Sequence, residues 1–174
     1  VEQVVAAARL LHRGELPEIG DGADGAGLGD EADEGPDAGA PDAKPEARAK
    51  AVAAVQSGLY GNRELTIRCN GLDTQWGRDD VLAAGVASPS AVVIPKVDSV
   101  EYVDQVSALL DEAGAPASVM IWPMIETPTA MFNVRSIAAH PRVAVLVMGT
   151  NDLAKELRSP LVPSRHPLVA HMAT

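Results

Sequence analysis

The amino-acid sequence predicts an α/β fold, with a parallel sheet laid down by repeated strand–helix units. Three observations predict it. Four apolar runs begin near residues 65, 91, 119 and 143 and are continuous rather than alternating, as strands buried on both faces are. They recur at intervals of 26, 28 and 24 residues, the length of a βα unit. Between them lie helix patterns with their own start and stop signals. Right-handed crossovers then bring every strand's C-terminal end to one side of the sheet. The period alone leaves a closed barrel and an open doubly wound sheet both standing.

The elements follow in order. Asp42 caps a helix with Pro45 and Glu46 in its first turn, and an Ala-rich stretch from Ala47 to Val55 continues it. Leu65 to Asn70 is a short strand. Asp79 to Ala87 is a helix closed by Pro89, and Ala91 to Lys96 is the next strand. Ser99 caps a helix that carries Val100, Val103, Val106 and Leu110 on one face, and Gly114 ends it. Val119 to Ile125 is a strand. Thr129 to Ala139 is a helix, stopped by Pro141. Val143 to Met148 is the fourth strand, and Leu153 to Leu157 opens another helix. Val1 to Leu16 also reads as a helix.

Composition narrows the function classes. The chain has 174 residues, a net charge of -10 and one cysteine, Cys69. Acidity argues against nucleic acid or an anionic membrane surface as partner. No apolar run reaches the roughly 18 residues of a membrane span. Val4 to Leu11 is apolar, but Arg9 interrupts it and no cleavage-site pattern follows, so a signal peptide is not expected. A single cysteine cannot form an intrachain disulfide and fits a reducing compartment, the cytoplasm. Twelve of the 24 acidic residues fall in the first 50 positions. Residues 20–40 hold Leu28 as their one large aliphatic residue, too little apolar surface to offset the entropy of ordering. Residues 1–40 are therefore expected to be a disordered or loosely held acidic segment, and residues 41–174 the folded domain.

Chemistry-bearing residues collect at the strand C-termini. They are Arg68 and Asn70, Lys96, Glu126, and Asn151 with Asp152. Alone, each has a structural explanation: Glu126 and Asp152 as first-turn acids favoured by a helix dipole, Arg68 as a paired strand residue, Lys96 as a solvated strand end. At equivalent ends of four consecutive strands they make a set: two carboxylates for a hard divalent cation, and a guanidinium for an anionic substrate or a developing oxyanion. Asn70 and Lys96 rank below the other three, as orienting groups. His140, before Pro141, lies in a loop on the opposite face and reads as a surface residue rather than a base; His166 and His171 read as solvent-exposed. Met120, Met124 and Met148 read as core filler. Gly149-Thr-Asn151-Asp152 lacks the three-glycine spacing of a dinucleotide site, and no Walker A, G-x-S-x-G or C-x-x-C pattern occurs.

Five segments together, Ile67-Arg68-Cys-Asn70, Val93-Ile-Pro-Lys96-Val-Asp-Ser, Met124-Ile-Glu126-Thr-Pro, Pro141-Arg-Val and Met148-Gly-Thr-Asn151-Asp152-Leu-Ala-Lys, resemble the HpcH/HpaI aldolase and citrate lyase β-subunit family. The resemblance runs from about Pro41 to the C-terminus. It implies a (β/α)8 TIM barrel of the phosphoenolpyruvate/pyruvate type, here incomplete, with about strands three to six clear. It implies Mg²⁺-dependent cleavage of a C–C bond in a 3-hydroxyacyl-CoA of the citryl-, malyl- or citramalyl-CoA type, giving an acyl-CoA and a 2-oxo acid, with Mn²⁺ as an alternative metal. Glu126 and Asp152 match the family's metal ligands, with Glu126 also at the substrate, and Arg68 matches its substrate-binding and catalytic arginine. The full-length family implies a homo-oligomer, a trimer or hexamer. Three other readings stand beside the lyase: an aldolase on free 2-oxo acids, a malyl-CoA thioesterase, and a catalytically silent fragment or interaction subunit.

The chain departs from the family pattern in three places. Gly35 to Pro41 stands where the family has Leu-Glu-Asp-Ala-Val-Ala-Pro, which puts Pro36 at an acidic position. The first strand is not recognisable. The last two strands and a C-terminal acidic residue have no counterpart before Thr174. The expectation is a fragment that retains the metal-binding core.

Overall fold

A computed structural model describes residues 44–160. The expected helix over Val1–Leu16, the acidic segment, Pro36, the Asp42 cap, His166 and His171 lie outside the described residues. The element order is α1 (Lys44–Gln56), β1 (Thr66–Arg68), α2 (Gly77–Ala87), β2 (Ala91–Ile94), α3 (Val100–Glu112), β3 (Met120–Ile125), α4 (Pro128–Ala138), β4 (Val147–Met148) and α5 (Thr150–Glu156). The strands form one sheet in the order β1-β2-β3-β4, with every neighbouring pair parallel. Each strand is followed by a helix, the strand order follows the chain, and α2, α3 and α4 cover one face of the sheet, as in part of a TIM barrel.

Side-chain alternation gives the sheet two faces. Ile67, Val92, Ile94, Ile121 and Ile125 pack outward against Val81 and Ala84 of α2, Val103, Val106 and Leu110 of α3, and Ala130 and Ile137 of α4. Burying each large aliphatic side chain there contributes roughly 1.5–3 kcal/mol. The opposite face carries Ala91, Val93 and Trp122, with Met120, Met124, Val145 and Val147 against them. Both faces are apolar, which explains the continuous rather than alternating runs. Met148 also packs on the outer core and Met120 and Met124 on the inner, as filler.

Helix α3 follows the expected capping, while α2, α4 and α5 start earlier than expected. The Ser99 side chain accepts from the Tyr102 N–H at 3.4 Å, and the expected face of α3 is fully buried at Val103, Val106 and Leu110. Gly114 follows α3 with φ 72°, a conformation that glycine adopts without cost. Helix α4 starts at Pro128, one residue early, because the Thr127 hydroxyl accepts from the Ala130 N–H at 3.1 Å. Helix α2 starts at Gly77 rather than Asp79. The Thr74 hydroxyl accepts from the Gly77 N–H at 3.2 Å, which supplies a cap from further upstream.

The fourth strand is shorter than expected. Val143 makes an isolated parallel bridge to Ile121, and the ladder resumes only where Met124 meets Val147 and Ile125 meets Met148. Four steps along this strand thus match three along β3, so it carries one extra residue, a bulge, opposite Trp122 and Pro123. Pro123 has no N–H to donate across the gap, the situation in which a ladder breaks. The extra residue reverses the alternation: Val143 packs on the outer core, yet Val145 and Val147 pack on the inner face.

Candidate active site

The bulge decides what stands beside Glu126. Continuing the register past Ile125 and Met148 sets Glu126 against Gly149; without the extra residue, Met148 would stand there. A Cβ on Gly149 would lie 2.6 Å from Glu126 Oε1 and 2.8 Å from its Cδ, with Cγ closer still. The bare Gly149 backbone is therefore packed directly on the Glu126 side chain.

Glu126 is buried, with 3% of its surface exposed. Its Oε2 accepts from the Lys96 backbone N–H at 3.1 Å. Burial pushes the carboxyl above the usual carboxylate range; the Lys96 N–H works against this, the Asp152 charge adds to it, and the Arg68 and Lys96 charges oppose it. Asp152, Arg68 and Lys96 are thus all within electrostatic reach of one buried carboxylate. That brings together the three residues singled out from the sequence, Arg68, Glu126 and Asp152. Asp152 stands in the first turn of α5, partly buried. Arg68 ends β1, on the same alternation as Thr66 and in register with Val93 of the inner face. Lys96 has φ 49°, the left-handed region that non-glycine residues enter at a cost. That turn delivers its N–H to Glu126, while its side chain is exposed on a cleft of about 510 Å³ that Asp98, Tyr102 and Thr127 also line.

Two expectations need correction. Asn70 does not join this group. Its backbone N–H donates to Asp80 Oδ2 at 3.0 Å, its side-chain amide donates to the same oxygen, and its Oδ1 accepts from Lys44 Nζ at 3.0 Å. Asp80 in turn accepts from Arg48 Nε at 2.7 Å. Asn70 ties the end of β1 to α1 and α2, because the chain leaves the ladder after Cys69. His140 lies on the opposite face as expected but is not a surface residue: its side chain is 11% exposed, with Nε2 3.3 Å from Asp104. Its Nδ1 accepts from the Arg142 N–H at 3.1 Å.

Sequence reasoning missed Gly149 as a wall of the site; its only cue was a glycine directly after a strand. It also gave no role to Arg142, which is buried and donates to the Val119 and Ser107 carbonyls at 3.1 and 3.0 Å and to Asp111 Oδ1 at 2.7 Å. Among the described residues no group of three or more His, Cys, Asp or Glu side chains is set to hold a metal. Glu126 and Asp152 are a pair. The pair suits a hard cation: two oxygen donors, one of them desolvated and pushed toward neutrality by the other, are relieved by a divalent charge between them.

The family model for HpcH/HpaI aldolase/citrate lyase matches residues 34–171. The chain therefore belongs to the HpcH/HpaI aldolase/citrate lyase family. It is 44% identical over 129 residues to a (3S)-malyl-CoA thioesterase of Cereibacter sphaeroides, a match covering 74% of this chain and 43% of that protein. It is 35% identical to an L-malyl-CoA/beta-methylmalyl-CoA lyase of Rhodobacter capsulatus, covering 70% and 41%. The chain thus spans less than half the length of these relatives. The citrate lyase beta subunit from M. tuberculosis, complexed with oxaloacetate and magnesium, superposes with a TM-score of 0.54 at 22% identity over 72% of this chain and 50% of that one. This likeness bears on the fold. No helix among the described residues is long and apolar enough to cross a membrane.

Proposed function

We propose that this chain carries the metal and oxo-acid half of a site acting on a malyl-CoA-type 3-hydroxyacyl-CoA, and that its reaction is C–C cleavage to an acyl-CoA and a 2-oxo acid. The observation that carries this reading is the buried Glu126 carboxylate, with Asp152 and Arg68 in electrostatic reach. Glu126 and Asp152 would hold Mg²⁺, which when bound supplies Lewis-acid polarisation of the substrate oxygens and a template for them. The malyl-CoA lyase relative and the magnesium and oxaloacetate bound to the M. tuberculosis protein support the substrate class and the metal.

In the cleavage, the bond between the hydroxyl-bearing carbon and the thioester's α-carbon breaks. The hydroxyl proton leaves, a carbonyl forms on the oxo-acid fragment, and the bond's electron pair passes to the thioester as an enolate that is then protonated. Arg68 would face negative charge developing on a carbonyl oxygen. Such preorganised charge is commonly the largest single catalytic contribution. Lys96 would hold the Glu126 carboxylate through its N–H, leaving Oε1 for the site.

Thioester hydrolysis is the second reading, favoured by the 44% identity to the thioesterase. Both are decided by incubating the purified chain with Mg²⁺ and malyl-CoA. Acetyl-CoA and glyoxylate are the products expected of the lyase, malate and free CoA those of the thioesterase. Arg68→Lys should lower the rate on the order of 100-fold. Neither product pair forming would sink the enzyme reading, and an unchanged rate in Arg68→Lys would remove that residue's role.

A further inference from the structure

We infer that Gly149 is a positioning residue whose missing side chain fixes the conformation of Glu126. The functional half of this inference rests on the reading of Glu126 as a metal ligand; the steric half does not.

The backbone does not require glycine here. Gly149 has φ -88° and ψ 73°, close to the inverse γ-turn minimum that any L-residue adopts. An alanine at such a position usually stabilises, since it reduces the freedom of the unfolded chain. Space is what excludes it: the Cβ would fall 2.6 Å from Glu126 Oε1 and 2.8 Å from Cδ. The three nearest atoms to that Cβ all belong to the Glu126 side chain, so that side chain is the first obstacle the methyl group meets.

Three features set the contact between Gly149 and Glu126. The bulge opposite Pro123 brings residue 149, rather than Met148, level with Glu126. The left-handed turn at Lys96 aims an N–H at Oε2. The Gly149 N–H donates to the Ile125 carbonyl at 3.0 Å, which locks its backbone against the residue just before Glu126. A methyl group at 149 has no direction to retreat, so Glu126 must leave its rotamer.

The test is a double-mutant cycle in the metal-free protein, with a Mg²⁺ titration beside it. Gly149→Ala should lower the melting temperature by about 3–8 °C in the wild-type background. In the Glu126→Ala background, where the clashing atoms are gone, the same substitution should cost less than about 1 °C or stabilise. An equal cost in both backgrounds would overturn the inference. If Gly149→Ala does not fold, a folded Glu126→Ala/Gly149→Ala protein supports it, and failure of both to fold contradicts it. In calorimetry with Mg²⁺, Gly149→Ala should weaken binding about 10–100-fold; wild-type affinity in that variant, with binding weakened in Glu126→Ala, overturns the positioning role. Wild-type affinity in Glu126→Ala removes the metal reading instead, and the melting cycle still decides the steric claim.

Discussion

At the scale of single residues, burial and charge decide what each group does. Glu126 and Cys69 are both buried and end up with opposite uses. Glu126 accepts from the Lys96 N–H and has Asp152, Arg68 and Lys96 within electrostatic reach, company suited to a charged site. Cys69 is 3% exposed, and burial first, then the Asp80 charge, pushes its thiol far above the ordinary range, with Arg48 opposing. It is therefore a small apolar core residue, protonated at any physiological pH. A folded-state thiol held above its unfolded value contributes stability that is fully present below about pH 8.5, the unfolded thiol's range. That stability is lost as pH rises above it, because only the unfolded chain ionises, at up to about 1.4 kcal/mol per pH unit. Cys69→Ala should remove this part of the alkaline slope in denaturant titrations run at pH 8 and pH 10; an unchanged slope would show that the thiol contributes nothing to it.

At the scale of elements, one end of the sheet is built for stability and the other for the site. Arg142 ties α3 to the start of β3 through the Ser107, Asp111 and Val119 contacts, opposite the strand ends that carry Arg68 and Glu126. Arg142→Ala would remove the donor from the buried Val119 carbonyl and the partner of Asp111. The expected cost is about 2–4 kcal/mol of unfolding free energy, read by denaturant melts, with Mg²⁺ affinity unchanged; loss of affinity without loss of stability would contradict this division. The succession of strands and helices was legible in the sequence, as were the Ser99 cap and the apolar face of α3, because apolar patterning and capping are local. The bulge was not. It depends on Pro123 of β3 facing the fourth strand, a pairing between residues about 20 apart, and Val143 to Met148 on its own reads as an uninterrupted strand. Asn70 was likewise misread, since its partners Lys44 and Asp80 come from two different helices.

At the scale of the whole molecule, four βα units place the three singled-out residues at one edge of a partial barrel. The parallel sheet followed from apolar runs at a regular interval, the grouping of Arg68, Glu126 and Asp152 from their places at strand ends, and the family from the five segments that resemble it. What stayed hidden was the shape of the pocket around them: the wall at Gly149 and the turn at Lys96 arise from contacts across strands, not from spacing along one. The proposed function depends on Glu126 and Asp152 forming a divalent-cation site. Isothermal titration of the metal-free chain with Mg²⁺ tests it most directly. The expected result is binding by the wild type, weakened at least about 10–100-fold in Glu126→Ala and again in Asp152→Ala; no binding by the wild type, or wild-type affinity in either variant, would contradict it.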